Sequence, residues 1–318
     1  MNVLFFQVLF AFTIDLMVAD PVFLPHPVRC LGFFIEKFEL VLRRFLKGQL
    51  EFVGGLVLTS FIVMSSYFFI YLILSFSSHI SNYLGFLLGT YFIYVSVACR
   101  ELGERAKDVL SNLEASDLAR ARKNLSGLVG RDVQNLNAEE VGKAVIETVA
   151  ENINDAVVAP LFFAFLGGAP MAFAYRAVNT LDSMVGYRNG KYARFGFTSA
   201  KLDDILNFIP ARIVGLIFPF IAFILRKNVG GCIKMMLRDA KKHLSPNSGI
   251  SEAAMAGTLG VQLGGLSFYG GKPVSRSKLG ESLRPLTTSC VAEAIKIHYL
   301  ISFFALFSFI ALILVCGV

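Results

Sequence analysis

Apolar residues run almost unbroken over 52–77, 83–98 and 299–315. Each run approaches or exceeds the ~20 residues that span a bilayer as helix, so three membrane helices are expected there. Residues 3–18 form a fourth apolar run. It carries Asp15 and lacks a basic leader and a small-residue cleavage site, so it reads as a retained helix rather than a signal peptide. Two further runs are interrupted: 157–174 contains Pro160, Gly167, Gly168 and Pro170, and 208–225 contains Pro210, Arg212 and Pro219. These are expected to be broken or re-entrant, the first of them re-entrant, because non-helical backbone is tolerated at membrane depth where it lines a protein cavity.

Between the apolar runs the period changes. Over 101–125, Leu102, Ala106, Val109 or Leu110, and Leu113 recur at helical spacing, and Ser116 with Asp117 offers a fresh N-cap. In NAEEVGKAVIETVAENIND, 137–155, Asn137 and Glu140 form a capping-box signature. The helix that follows carries an apolar stripe of Val141, Val145 and Val149. Glu147, Glu151 and Asp155 recur separately at i, i+4 and i+8. No fixed-period repeat or Gly/Ser linker divides the chain. The expected fold is all-α: a polytopic integral membrane protein with about 4–6 membrane-embedded helices, some re-entrant, with helical cytoplasmic loops, folded as a single domain over 1–318.

Composition agrees with this pattern. Of 318 residues 55% are hydrophobic and 17% charged, against about 25% charged in a soluble domain, which excludes a soluble, a disordered and a small disulfide-stapled protein. The five cysteines are scattered, with no C-x-x-C pair. The net charge of +7 marks loop orientation before it marks a nucleic-acid surface, since no basic, aromatic-interleaved module accompanies it. Five of the 30 basic residues fall in 20–52, eight in 99–156 and none in the 78–82 turn. The positive-inside rule therefore places 20–52 and 99–156 in the cytoplasm and 78–82 outside.

Four constellations could carry chemistry. Glu147, Glu151 and Asp155 form a carboxylate row that leads into the apolar stretch 157–163, where solvated carboxylates are unusual. Like charges at that spacing repel by a few tenths of a kcal/mol per pair, and a divalent cation would relieve them. Second, within 175–212, Asn179, Asp182 and Ser183 lie about one turn apart, as do Asp203, Asp204 and Asn207, with Arg176, Arg188, Lys191, Arg194 and Arg212 among or beside them. Carboxylates beside cations suit a Mg²⁺–phosphate complex and equally the ion partners of a transporter. Third, His26 sits in the proline-rich DPVFLPHPVR, 20–29, as a structural residue or a proton-transfer group. Fourth, the glycines of 257–271 precede Lys272 one place too late for a phosphate loop, and Pro273 replaces its Ser/Thr. Backbone phosphate contact and close helix packing both remain open there.

Taken together these segments resemble the adenosylcobinamide-phosphate synthase family of cobalamin biosynthesis. The resemblance spans nearly the whole chain and rests on DPVFLPHPVRCLG, GRD at 130–132, ETVAENINDAVVAPLFF, YRAVNTLDSMVGYRN, RFGFTSAKLDDILNFIPAR and SEAAMAGTLGVQLGG, in order. Gln262 stands where the family pattern has a basic residue. The resemblance implies a cell-membrane enzyme, an ATP- and Mg²⁺-dependent ligase joining adenosylcobyric acid to (R)-1-amino-2-propanol O-phosphate, or aminopropanol, as an amide. Its surroundings would be the lipid bilayer and other corrinoid-pathway enzymes, with no nucleic acid. On residue chemistry, Glu147, Glu151, Asp182 and His26 are the candidate catalytic groups, and Glu147, Glu151, Asp155, Asp182, Asp203 and Asp204 the candidate Mg²⁺ ligands. Arg131, Asn152, Arg176, Asn179, Ser183, Arg188, Lys191 and Arg212 are the candidates for substrate and phosphate. A transporter, or a non-catalytic membrane sensor of the same fold, is the alternative.

Overall fold

The computed structural model describes residues 3–18, 26–187 and 191–317. The helices are α1 (Val3–Val18), α2 (Pro27–Phe45), α3 (Glu51–Ile80), α4 (Asn82–Tyr94), α5 (Cys99–Glu114), α6 (Leu118–Ser126), α7 (Ala138–Ile153), α8 (Ala159–Val185), α9 (Phe197–Leu206), α10 (Phe208–Ile224), α11 (Val229–Asp239), α12 (Ser248–Leu259) and α13 (Thr288–Cys316). Two strands, β1 (Leu263–Tyr269) and β2 (Lys272–Leu279), stand between α12 and α13. Among the described residues four helical stretches, Gly48–Ile80, Asn82–Glu114, Ala138–Val185 and Thr288–Cys316, are long and apolar enough to cross a membrane, or five if the broken pair α9 and α10 counts as one. Phe61, Phe69, Leu72 and Phe307 are exposed on them, as side chains facing hydrocarbon would be. The chain is a mostly helical, polytopic membrane protein.

The chain divides into two compact units. The first comprises Met1–Ala98, Ala159–Asn207 and Leu306–Val318. Its core joins α2, α3 and α8 through Leu31, Ile35, Leu58, Ile62, Ala177, Leu181 and Val185, with Phe195. The apolar run 83–98 is helical only to Tyr94, beyond which Val95 to Ala98 form a turn. Helix α8 is interrupted at Gly167 (φ −158°, ψ 28°) and Gly168 (φ 64°, ψ −154°), the latter in a region that only glycine enters freely. The rings of Phe163 and Tyr175 stack with centroids 5.0 Å apart, whereas twelve residues of straight helix would separate them by ~18 Å. The chain therefore reverses at the glycine pair, as a re-entrant hairpin requires.

The second unit comprises Cys99–Val158 and Phe208–Ala305. Leu102, Ala106 and Val109 bury the apolar stripe of α5, and Asp117 caps α6 by accepting from the Arg120 N–H at 3.0 Å. The capping box of α7 forms in both directions: Glu140 N–H donates to Asn137 Oδ1 (2.9 Å), and Asn137 N–H donates to Glu140 Oε2 (2.8 Å). The carboxylate row differs from expectation at its end. Helix α7 stops at Ile153, and Asp155 lies in a π-type turn, Asn154–Val158. The hairpin β1–β2 was also not expected. It pairs antiparallel with Tyr269 opposite Lys272, and Gly270 (φ 56°) with Gly271 (φ 76°) supplies the two positive φ values of a tight primed turn.

Candidate functional site

The second unit holds a buried charge cluster assembled from α7, the 130–132 loop, the segment after α11, α12 and the hairpin. Its centre is Glu147, 1% exposed. Glu147 Oε2 is paired with Arg131 Nη2 and accepts from Arg276 Nη1 at 2.9 Å. Its Oε1 accepts from the Gly264 N–H at 2.7 Å, at the start of β1. Burying a carboxylate is tolerable only with such compensation, and deleting one partner of a buried pair costs about 3–5 kcal/mol.

Local structure aims these groups. Asp132 N–H donates to Phe268 O (2.8 Å), and its carboxylate accepts from the N–H groups of Gly270 (3.2 Å) and Gly271 (2.7 Å). Gly130-Arg131-Asp132 thus clasps the hairpin turn and delivers Arg131 to Glu147, with Arg131 Nη1 also 3.3 Å from Ser267 Oγ. At the hairpin's far end the Gly280 N–H donates to buried Asp239 at 2.8 Å. The hydrogen bond from Arg238 holds that carboxyl well below the usual carboxylate range.

Arg276 bridges to a second buried acid. Its Nη2 lies 3.3 Å from Oε1 of Glu252, which is 0% exposed, and 3.2 Å from His243 Nε2. His243 Nε2 is in turn 3.3 Å from Glu252 Oε1. Burial pushes Glu252 well above the usual carboxylate range against the pull of Arg276. Burial, with the nearby Arg276 charge, holds the His243 imidazole below its ordinary value. The pair is thereby biased towards a protonated Glu252 and a neutral His243. A guanidinium can only donate, so the nitrogen facing Arg276 is assigned the imidazole lone pair from this network. Glu151 stands half-buried at the cluster's edge, where Ser248 Oγ is 3.4 Å from its Oε1.

The expected site residues fall in both units. With Arg131, Glu147 and Glu151, the second unit holds Asn152, whose Nδ2 donates to Thr148 O (2.9 Å), and Asp155, which accepts from Asn154 Nδ2 (2.8 Å). It also holds Arg212, which donates to Asn247 Oδ1 (2.6 Å) and stacks on the Phe208 ring. The first unit holds Arg176, 3.4 Å from Asn179 Oδ1, and Ser183, which donates to Asn179 O (2.9 Å). There Asp182 O accepts from the Gly186 N–H, and Asp203 accepts from Asn207 Nδ2 (2.9 Å). Asp204 is 3.7 Å from Lys201, and Lys191 donates to the Tyr192 hydroxyl (2.8 Å). His26 is the N-cap of α2, where its Nδ1 accepts from the Val28 N–H (3.3 Å). Arg188 lies outside the described residues. Sequence reasoning passed over Glu252, His243 and Arg276, which no helical spacing relates to Glu147.

Among the described residues no group of three or more His, Cys, Asp or Glu side chains is placed to hold a metal ion. A Mg²⁺ ion that arrives with phosphate oxygens needs only one or two carboxylates. Glu151 fits that demand, being half-buried with a single long hydroxyl contact, whereas both oxygens of Glu147 are engaged by donors.

The sequence model of the CobD/Cbib protein family matches residues 8–298. The chain is 40% identical over 310 residues to the cobalamin biosynthesis protein CobD of Clostridium perfringens, covering 98% of each chain. It is 43% identical over 292 residues to that of Geobacter metallireducens, covering 92% of this chain and 91% of the relative. Against the cobalamin biosynthesis protein CbiB of Salmonella arizonae identity is 39% over 302 residues, 95% of each chain. No solved structure matches.

Proposed function

Because the chain belongs to the CobD/Cbib protein family, whose relatives are named for cobalamin biosynthesis, we propose that it catalyses ATP-dependent amide formation between adenosylcobyric acid and (R)-1-amino-2-propanol O-phosphate or aminopropanol. The observation that carries this reading is the buried cluster of Glu147, Arg131, Arg276, Glu252 and His243. Forming an amide from a carboxylate and an ammonium group with ATP leaves ADP, phosphate and one proton. The site must therefore hold several anions together and accept that proton.

Arg131 and Arg276 are the groups for phosphoryl or carboxylate oxygens, since guanidinium groups bind both in bidentate fashion. Glu147 keeps the two guanidiniums ordered by pairing with both. His243, held neutral by burial, is the group to take the amine proton, and the acid of Glu252 fixes its orientation. Bound Mg²⁺ and ATP would convert the unreactive carboxylate into an acyl donor, with Glu151 the carboxylate offered to the metal. We place the enzyme in the cell membrane with 20–52 and 99–156 cytoplasmic.

Arg276→Gln and His243→Gln, purified in detergent, test the assignment. Each should lose at least about 100-fold in corrinoid amidation, within the range removed with a general base or a charge-stabilising donor, while eluting as the wild type does. His243→Gln should also lose the acid limb of the pH profile. Wild-type rates in both variants would refute the assignment.

A further inference from the structure

The first unit contains a cavity of about 990 Å³ between α2 and α3, reaching Tyr91 and Phe92 of α4 and Phe173 of α8. Its walls are mostly apolar: Phe34 and Val41 contribute from α2, and Phe61, Phe69 and Ile73 from α3, with Ser65 and Ser66 between them. One lining residue carries a charge. Cys30, Phe34, Lys37 and Val41 recur at i, i+4, i+7 and i+11, a single stripe of α2, and all four line the cavity. Lys37 is the charged member of the lining. It is exposed, its ammonium lies 5.3 Å from the Phe33 ring centroid, and among the described residues it makes no ion pair. Its neighbour Arg43, by contrast, is paired with Glu39 at 2.8 Å.

The position of that cation along the cavity names the occupant. Lys37 stands one residue before Phe38, whose ring packs 5.0 Å from Phe61, and one turn before Val41, so this part of α2 is level with the Phe61 end of the lining. From Phe61 the lining follows α3 to Ile73, twelve residues or ~18 Å of helix. One leaflet of a ~30 Å hydrocarbon core is about that deep. A cation without a carboxylate partner at one end, and an apolar wall one leaflet long behind it, complement a phosphate with a hydrocarbon tail. We infer that this cavity is a binding site for an anionic bilayer phospholipid, its acyl chain lying along α3 and its phosphate held by Lys37.

Native mass spectrometry on the full chain, in micelles containing equal amounts of phosphatidylglycerol and phosphatidylcholine, tests this. The wild type should retain one phosphatidylglycerol per chain with at least a fivefold preference over phosphatidylcholine. Lys37→Glu, a change at an exposed position, should abolish that preference, and Lys37→Arg should restore it. Ser65→Trp, which fills the cavity from α3, should lose both lipids. Equal retention of the two lipids by the wild type, or a preference unchanged in Lys37→Glu, would overturn the inference. So would a dimer that Ser65→Trp dissociates without loss of lipid, because the cavity would then be covered by a second copy. None of these readouts depends on catalysis.

Discussion

Single residues carry the two features on which the account depends most. Gly168 adopts φ 64°, ψ −154°, a conformation that costs a residue with a Cβ about 1–3 kcal/mol. Gly168→Ala should lower the thermal midpoint in detergent, whereas Gly230→Ala in α11, where an added Cβ meets nothing closer than 3.8 Å, should leave it nearly unchanged. Equal effects would remove the backbone argument for the reversal. Glu252 and His243 set the pH response. Burial raises the folded Glu252 value, so its contribution to stability is complete below the ordinary carboxylate value and is lost as pH rises through the raised one. Burial lowers the folded His243 value, so its contribution is complete above the ordinary imidazole value and is lost as pH falls through the lowered one. Glu252→Gln should flatten the alkaline side of the thermal-midpoint profile, and His243→Gln the acid side. Unaltered profiles in both would contradict the assigned charge states. Glu147 was readable as a candidate from the carboxylate row it opens on α7, and Arg131 from the family resemblance carried by Gly130-Arg131-Asp132. Glu252 was not, since it lies in a helix of mostly small residues and gains its meaning from Arg276, 24 positions away.

The elements show the same division. Capping chemistry is local, so Asn137 with Glu140 and Asp117 announced the starts of α7 and α6. The Gly167–Gly168 pair with Pro170 announced a break. The hairpin was missed because β1 and β2, LGGLSFY and KPVSRSKL, lack a clean apolar alternation, and Gly270-Gly271-Lys272 invited comparison with a phosphate loop. Its order comes from outside its own sequence, through the carboxylates of Asp132, Glu147 and Asp239 on backbone N–H groups at its turn and near its two ends. Hydrogen bonds to a charged acceptor contribute about 1.5–3 kcal/mol. Asp132→Ala should therefore free the turn, and limited chymotrypsin digestion should cut after the exposed Tyr269 several times faster than in the wild type. An unchanged cleavage rate would show that the clasp is dispensable.

For the whole molecule, the long apolar runs were enough to anticipate a polytopic helical protein. The division into two units, each made of segments distant in sequence, follows from tertiary packing that periodicity does not encode. The proposed orientation predicts that a cysteine at Ser81, in a background without the native cysteines, reacts with an impermeant thiol reagent on intact cells, while one at Lys107 reacts only after lysis. The reverse pattern would invert the topology. The most direct test of the central claim is the mass of the corrinoid recovered after detergent-purified wild type and Glu147→Ala are incubated with adenosylcobyric acid, aminopropanol phosphate, ATP and Mg²⁺. The account predicts a wild-type product heavier by the amino alcohol joined as an amide, with one ATP cleaved per bond, and no product from the equally soluble variant. An unchanged corrinoid mass with folded wild type, or equal product from Glu147→Ala, would contradict it.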